Sequence, residues 1–199
     1  MIRDFQVADF ITLANGACGI GAVLCAMAFM ADGELRWFFA AAALAPVAFA
    51  FDWLDGTVAR ARDEHSVLGR ELDSLADVIS FGVAPAVLGF TLGMRGGWDM
   101  LILAYFVVCG VSRLARFNVT ASTLTDSGTG KVKYFEGTPI PTSIVIVVLL
   151  GVAFYVGAIH ENLWFGAVRL GFATLHPLAL IYGLSGSAMI SATLRVPKP

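Results

Sequence analysis

Asp52, Asp55, Asp73 and Asp77 fall within FDWLDGTVARARDEHSVLGRELDSLADVIS, residues 51 to 80 of a chain that is otherwise strongly apolar. On a helix, Asp52 and Asp55 are i,i+3 neighbours and Asp73 and Asp77 are i,i+4 neighbours, so each pair projects from one face. An antiparallel hairpin of two helices would bring the pairs together. Four converging carboxylates repel one another unless cations neutralise them. Hard oxygen donors select Mg2+, Mn2+ or Ca2+. Several carboxylates can hold two such ions, an arrangement suited to clamping a phosphoryl group. A single aspartate here would read as a solvated helix-end charge; four at these spacings read as a site. Gly56, Ala59 and Gly69 lie among them. Small residues there give a bulky ligand room near the backbone or let helices pack closely.

The elements that must carry these acids are membrane helices. The chain has 199 residues, 58% hydrophobic and 14% charged, with mean hydropathy +0.79. Soluble domains carry roughly 25% charged residues, so the expected fold is all-α, a single polytopic membrane domain over residues 1–199. Its apolar runs give six transmembrane helices, at about 11–31, 35–61, 71–93, 98–117, 138–159 and 168–192. A short amphipathic segment, residues 1–10, leads into the first span. That span exceeds the 7–15 apolar residues of a secretory signal. Cys18, Cys25 and Cys109 sit in apolar runs without CxxC spacing, and His65, His160 and His176 form no HxxxH pattern. Neither set suggests a disulfide framework or a histidine metal site. No nucleic-acid partner is expected.

Lys and Arg placement sets the orientation. Arg3, the Arg60–Arg62–Arg70 group, the Arg113–Arg116–Lys131–Lys133 group and Arg195 with Lys198 share one side; Arg36, Arg95 and Arg169 take the other. Ten against three puts both termini and the aspartates on the cytoplasmic face; the expected location is a cytoplasmic (inner) membrane, with an archaeal membrane and the endoplasmic reticulum left open.

The array Asp52-x2-Asp55-Gly56-x2-Ala59-Arg60-x8-Gly69-x3-Asp73-x3-Asp77 resembles the signature of the CDP-alcohol phosphotransferases, with every fixed position matched. TLANGACG, Thr12 to Gly19, is similar to that family's first-helix pattern, more loosely. The resemblance implies two divalent cations, Mg2+ or Mn2+, on a metal set of Asp52, Asp55, Asp73 and Asp77. Asp73 would bridge the ions, and Asp77 would be the general base that deprotonates the acceptor alcohol. Gly56, Ala59 and Gly69 would leave room for the cytidine nucleotide, and Arg60 would help hold that region. A homodimer among membrane lipids is also implied.

Three stretches narrow the acceptor. SLADVISFGVAPA after Asp73, SRLARFN (112–118) and YFEGTPIP (134–141) resemble the serine-using branch of the family, whereas glycerophosphate-using members typically read DPLADK around the third aspartate. The implied reaction transfers the phosphatidyl group of CDP-diacylglycerol to L-serine. A zwitterionic acceptor needs a cation for its carboxylate and an acid or carbonyl for its ammonium. Arg113 and Arg116 suit the first need, or grip the donor diphosphate, or act as snorkelling anchors. Glu136 suits the second or orders its loop. Asn118 belongs to the same stretch as the two arginines, and Lys131 and Lys133 read as surface or headgroup charges. Asn15 and Ser80 are polar within spans and could simply bridge helices; Ser80 shares the Asp73–Asp77 face and is the better site residue.

Other readings are the same chemistry with inositol phosphate, glycerol phosphate or an archaeal CDP-archaeol donor, a carboxylate-lined divalent-metal transporter, and a structural membrane subunit. A transporter calls for acids near mid-span on several helices. Here they cluster at one end of two.

Overall fold

The computed structural model describes residues 5–62, 66–125, 134–191, 193 and 195–197. Arg3, His65, Lys131, Lys133 and Lys198 therefore lie outside the described residues.

The first helix, α1, spans Val7–Asp32 and opens on a reciprocal cap: the Gln6 backbone N–H donates to Asp9 Oδ2 at 2.8 Å, and the Gln6 side chain accepts from the Asp9 backbone. This satisfies two of the donors that a helix start leaves open. The amphipathic lead-in expected for residues 1–10 is thus already the first turn of the span from Val7 onward. Gly33, at φ 73°, ends α1 in the left-handed conformation that closes helices without a Cβ clash. The chain reverses at once into α2, Leu35–Arg62. α1 and α2 pack side by side, and at the end remote from the aspartates Phe38 stacks on Phe154 (centroids 3.9 Å) with Phe29 edge-on to both.

The third span, Val67–Leu92, is the most enclosed. Two-thirds of its apolar window (67%) is buried, against 22–28% for the other three long helices. It consists of α3 (Val67–Asp77), a π-helical segment (Val78–Val83) and α4 (Ala84–Leu92). Ser66 caps α3, its Oγ accepting the Gly69 N–H at 2.8 Å. The widened turn starts directly after Asp77 and ends just before Pro85, which cannot donate a backbone hydrogen bond. α5, Gly97–Thr125, packs along this central span.

These four helices are long and apolar enough to cross a membrane, as expected for an integral membrane protein. Beyond α5 the apolar helical stretches are shorter: Ile140–Tyr155, comprising a 3-10 turn and α6 (Ile144–Tyr155), and Pro177–Ile190, comprising a 3-10 turn and α7 (Leu180–Ile190). A small ladder pairs β1 (Tyr134–Glu136) with a strand near the C-terminus, Arg195–Pro197. The helix expected over 168–192 starts late. Its first residues form an antiparallel hairpin, β2 (Val168–Leu170) with β3 (Ala173–Leu175), turning at Gly171 with φ 62°. A short apolar run does not by itself distinguish strand from helix.

The hairpin is fastened to the start of α5. Asp99, fully buried, accepts the Gly96 N–H (2.8 Å) and the His176 N–H (2.7 Å), and its Oδ2 lies 2.6 Å from His176 Nδ1. Trp98 Nε1 donates to the Leu170 carbonyl at 3.0 Å.

Candidate active site

α2 contributes Asp52 and Asp55 from its last turns, and α3 contributes Asp73 and Asp77. One carboxylate oxygen from each of Asp52, Asp55 and Asp73 lies within 4.8 Å of the others. Asp55 and Asp77 are buried, 5% and 6% exposed, while Asp52 and Asp73 are half-buried. Asp77 stands within electrostatic reach of the other three. Asp73 Oδ1 is buried and has no hydrogen-bond partner among the described residues. An enclosed, unpartnered carboxylate oxygen beside further carboxylates is costly unless positive charge compensates it. The donors are all oxygen, and their spacing lets single ions touch more than one of them. The residues present fit hard divalent cations.

The third wall is α1, most of which the acid pattern does not reveal. The Thr12 hydroxyl lies 2.5 Å from Asp55 Oδ2, and Asn15 Nδ2 donates to Asp77 Oδ1 at 3.2 Å. Thr12 Oγ1 is also 3.2 Å from the Ala8 carbonyl; the shorter contact, to a carboxylate, is the stronger. Asp9 is 2% exposed and within electrostatic reach of Asp55, which makes it a fifth acid at this end of the molecule. Asp9, Thr12 and Asn15 are three residues apart and share a helix face. That i,i+3,i+6 polar series in an otherwise apolar span is the signal that could have found them.

The small residues divide by environment. A Cβ on Gly56 would meet only the Arg60 guanidinium, at 3.5 Å, so the space above it is open. A Cβ on Gly69 would lie 2.7 Å from Asp9 Oδ1 and 2.9 Å from Ser66 Oγ, so that clearance is filled by α1 and the cap. Ala59 is half-buried, and exposed Arg60 reaches Thr57 Oγ1 at 3.3 Å.

Ser80 is buried and donates to the Asn15 carbonyl at 2.9 Å, so it joins helices while standing one turn below Asp77. Arg113 is half-buried within electrostatic reach of Asp77, and its Nε lacks a hydrogen-bond partner among the described residues. Arg116 is exposed. Asn118 ties α5 to α3, its Nδ2 donating to Ser74 Oγ at 3.0 Å and to Glu71 Oε2 at 3.4 Å. Glu136 has its backbone in β1, in register with Arg195.

Four helices long and apolar enough to cross a membrane, two of which bring their acids together at one end, define an integral membrane protein with a candidate cation site. The family model for CDP-alcohol phosphatidyltransferase matches residues 5–176, and the chain belongs to that family. The family is metal-dependent, in keeping with the acidic cluster. The chain is 44% identical to a CDP-diacylglycerol–serine O-phosphatidyltransferase of Saccharomyces cerevisiae, an alignment covering 100% of this chain and 73% of the relative. It is 34% identical to an archaetidylserine synthase of Methanothermobacter thermautotrophicus, over 88% of this chain and 71% of that one. A CDP-diacylglycerol–serine O-phosphatidyltransferase of Helicobacter pylori is 45% identical over 49% of this chain and 40% of its own.

Proposed function

We propose that this protein is a CDP-diacylglycerol–serine O-phosphatidyltransferase, making phosphatidylserine and CMP. The observation that carries the reading is the convergence of Asp52, Asp55 and Asp73 beside Asp77, in a chain 44% identical along its whole length to a relative bearing that name.

Asp52, Asp55, Asp73 and, at their edge, Asp77 would hold two divalent cations, Mg2+ or Mn2+, whose chemistry when bound is to neutralise the diphosphate and stabilise the CMP leaving group. Asp77 takes the proton of the serine hydroxyl. The serine oxygen then forms a bond to the lipid-side phosphorus as the bond from that phosphorus to the CMP oxygen breaks, and CMP departs with the electron pair. An alcohol is a poor nucleophile until its proton has an acceptor, which is the role of a carboxylate placed here. Open space above Gly56, with Ala59 one turn on, receives the nucleotide, and Arg60 flanks it. Gly69 supports this region through Asp9. Arg113, with its unpartnered Nε near Asp77, and Arg116 receive the serine carboxylate or the donor diphosphate. Ser80 and Asn118 brace the wall, and Glu136 attracts the ammonium. The acyl chains lie against the apolar flanks.

In the membrane, α6 and α7 with their flanking turns complete a six-span bundle as the fifth and sixth segments. Both termini and the site face the cytoplasm of the inner membrane, and the chain forms a homodimer. A second reading keeps serine and changes the donor to an archaeal ether lipid, supported by the likeness to archaetidylserine synthase. Purified protein given CDP-diacylglycerol or CDP-archaeol with serine, inositol phosphate or glycerol phosphate tests both. Serine-dependent CMP release that chelation abolishes supports the proposal, and release only with another alcohol removes it.

A further inference from the structure

We infer that Asn15 is a positioning residue for Asp77, fixing the carboxylate that takes the acceptor proton; the inference rests on the reaction proposed above. Asn15 is fully buried on α1, and across 62 positions of sequence its Nδ2 donates to Asp77 Oδ1 at 3.2 Å. Its backbone carbonyl accepts the Ser80 hydroxyl at 2.9 Å. A single residue of α1 therefore grips the third span at two points, on Asp77 and three residues beyond it.

The grip depends on close approach. A Cβ on Gly19 would lie 2.5 Å from Ser80 Oγ and 2.8 Å from Ser80 Cα, and one on Gly16 would touch Ala76 at 3.5 Å. Gly19 in particular admits no larger residue unless the helices separate.

The place where α1 takes hold is where the third span loses regularity. The π-helical segment begins at Val78, and the Ala84 N–H bonds to the Ile79 carbonyl five residues back. A widened turn rotates the two flanking helical segments relative to each other, so the helix alone does not fix Asp77 against α2 and α5. Asp52, Asp73 and Asp55 also push on the Asp77 charge. The Asn15 amide gives the carboxylate a directed hydrogen bond, which fixes its orientation as the diffuse field of the surrounding charges does not. The bond engages Asp77 Oδ1.

The test uses the full-length protein with Asn15→Leu, which removes the donor, and Asn15→Asp, which keeps the size and replaces donation by repulsion. Turnover with CDP-diacylglycerol and serine, equilibrium binding of CDP-diacylglycerol in Mn2+, and the thermal midpoint are measured for each. A positioning role predicts that kcat falls about 10- to 100-fold in both variants, with CDP-diacylglycerol affinity within about twofold of wild type in Asn15→Leu. Ser80→Ala, which removes the second grip, reproduces a smaller part of the kcat loss. A kcat within about threefold of wild type overturns the inference, as does lipid affinity lost in step with kcat, or failure of both Asn15 variants to fold, which assigns Asn15 to packing. A wild-type protein that releases no CMP on serine addition sinks the proposed reaction instead, so the two failures are distinguishable.

Discussion

The Thr12 hydroxyl meets the Asp55 carboxylate at 2.5 Å, joining two helices across 43 positions of sequence. α1 thereby restrains the α2 acid pair through Thr12, as it restrains the α3 pair through Asn15. A buried acid used to hold a cation keeps its aim only if its outer partners keep theirs.

Thr12→Val preserves shape and removes that donor. The expected result is a divalent-ion requirement raised about 10-fold or more, as for lost outer-sphere partners elsewhere, with maximal rate recovered in excess metal. Titrating activity with Mn2+ reads it directly. An unchanged metal midpoint would show that Asp55 needs no help from α1.

Asp77→Asn retains shape and loses the carboxylate proposed to accept the serine proton. Turnover should fall by about 10²- to 10⁴-fold, while metal-dependent binding of CDP-diacylglycerol stays near wild type. Comparing single-turnover rates with equilibrium binding separates the two effects. Full turnover in this variant removes Asp77 as the base.

The acid array is readable from sequence because helical spacing alone places Asp52 with Asp55 and Asp73 with Asp77. On α1 the sequence marks Thr12 and Asn15 as polar residues of one helix face but not their partners, because the contacts to Asp55 and Asp77 are wholly tertiary. Asp9 has the pattern of a surface charge ahead of the membrane; helix capping and the absence of a side chain at Gly69 let it be buried instead. Length and hydropathy give six spans in the sequence, of which four are helices long and apolar enough to cross a membrane, with shorter apolar helices in the fifth and sixth. The same criteria overextend the last one, since Val168–Leu175 is apolar enough for a span yet turns at Gly171 as a hairpin.

Gly19→Ala sets a methyl against Ser80, including its backbone Cα at 2.8 Å. Forced repacking of this kind costs about 1–3 kcal/mol. The thermal midpoint in detergent should drop by several degrees and activity should fall with it, because the same contact holds the turn beyond Asp77. A variant as stable and active as wild type would mean that α1 and the third span have slack at this crossing.

Asp99→Ala separates stability from catalysis. Asp99 satisfies two backbone N–H groups and lies beside His176, so its loss leaves two half-buried donors without their partner, at up to about 1 kcal/mol each. Along α5 it is 14 residues from Arg113, roughly 21 Å at about 1.5 Å per residue. The thermal midpoint should fall while the KM for serine is unchanged in protein that remains folded. A raised KM with normal stability would connect the hairpin end to the acceptor site.

In the proposed reaction the aspartate site directs the serine hydroxyl onto the lipid-side phosphorus. Serine carrying 18O in its hydroxyl, supplied with CDP-diacylglycerol to the purified protein and followed by mass spectrometry of both products, tests it most directly. The expected products are phosphatidylserine that retains the heavy oxygen and unlabelled CMP in equal amount. Labelled serine left unincorporated, or heavy oxygen appearing in a cytidylyl product, would contradict it.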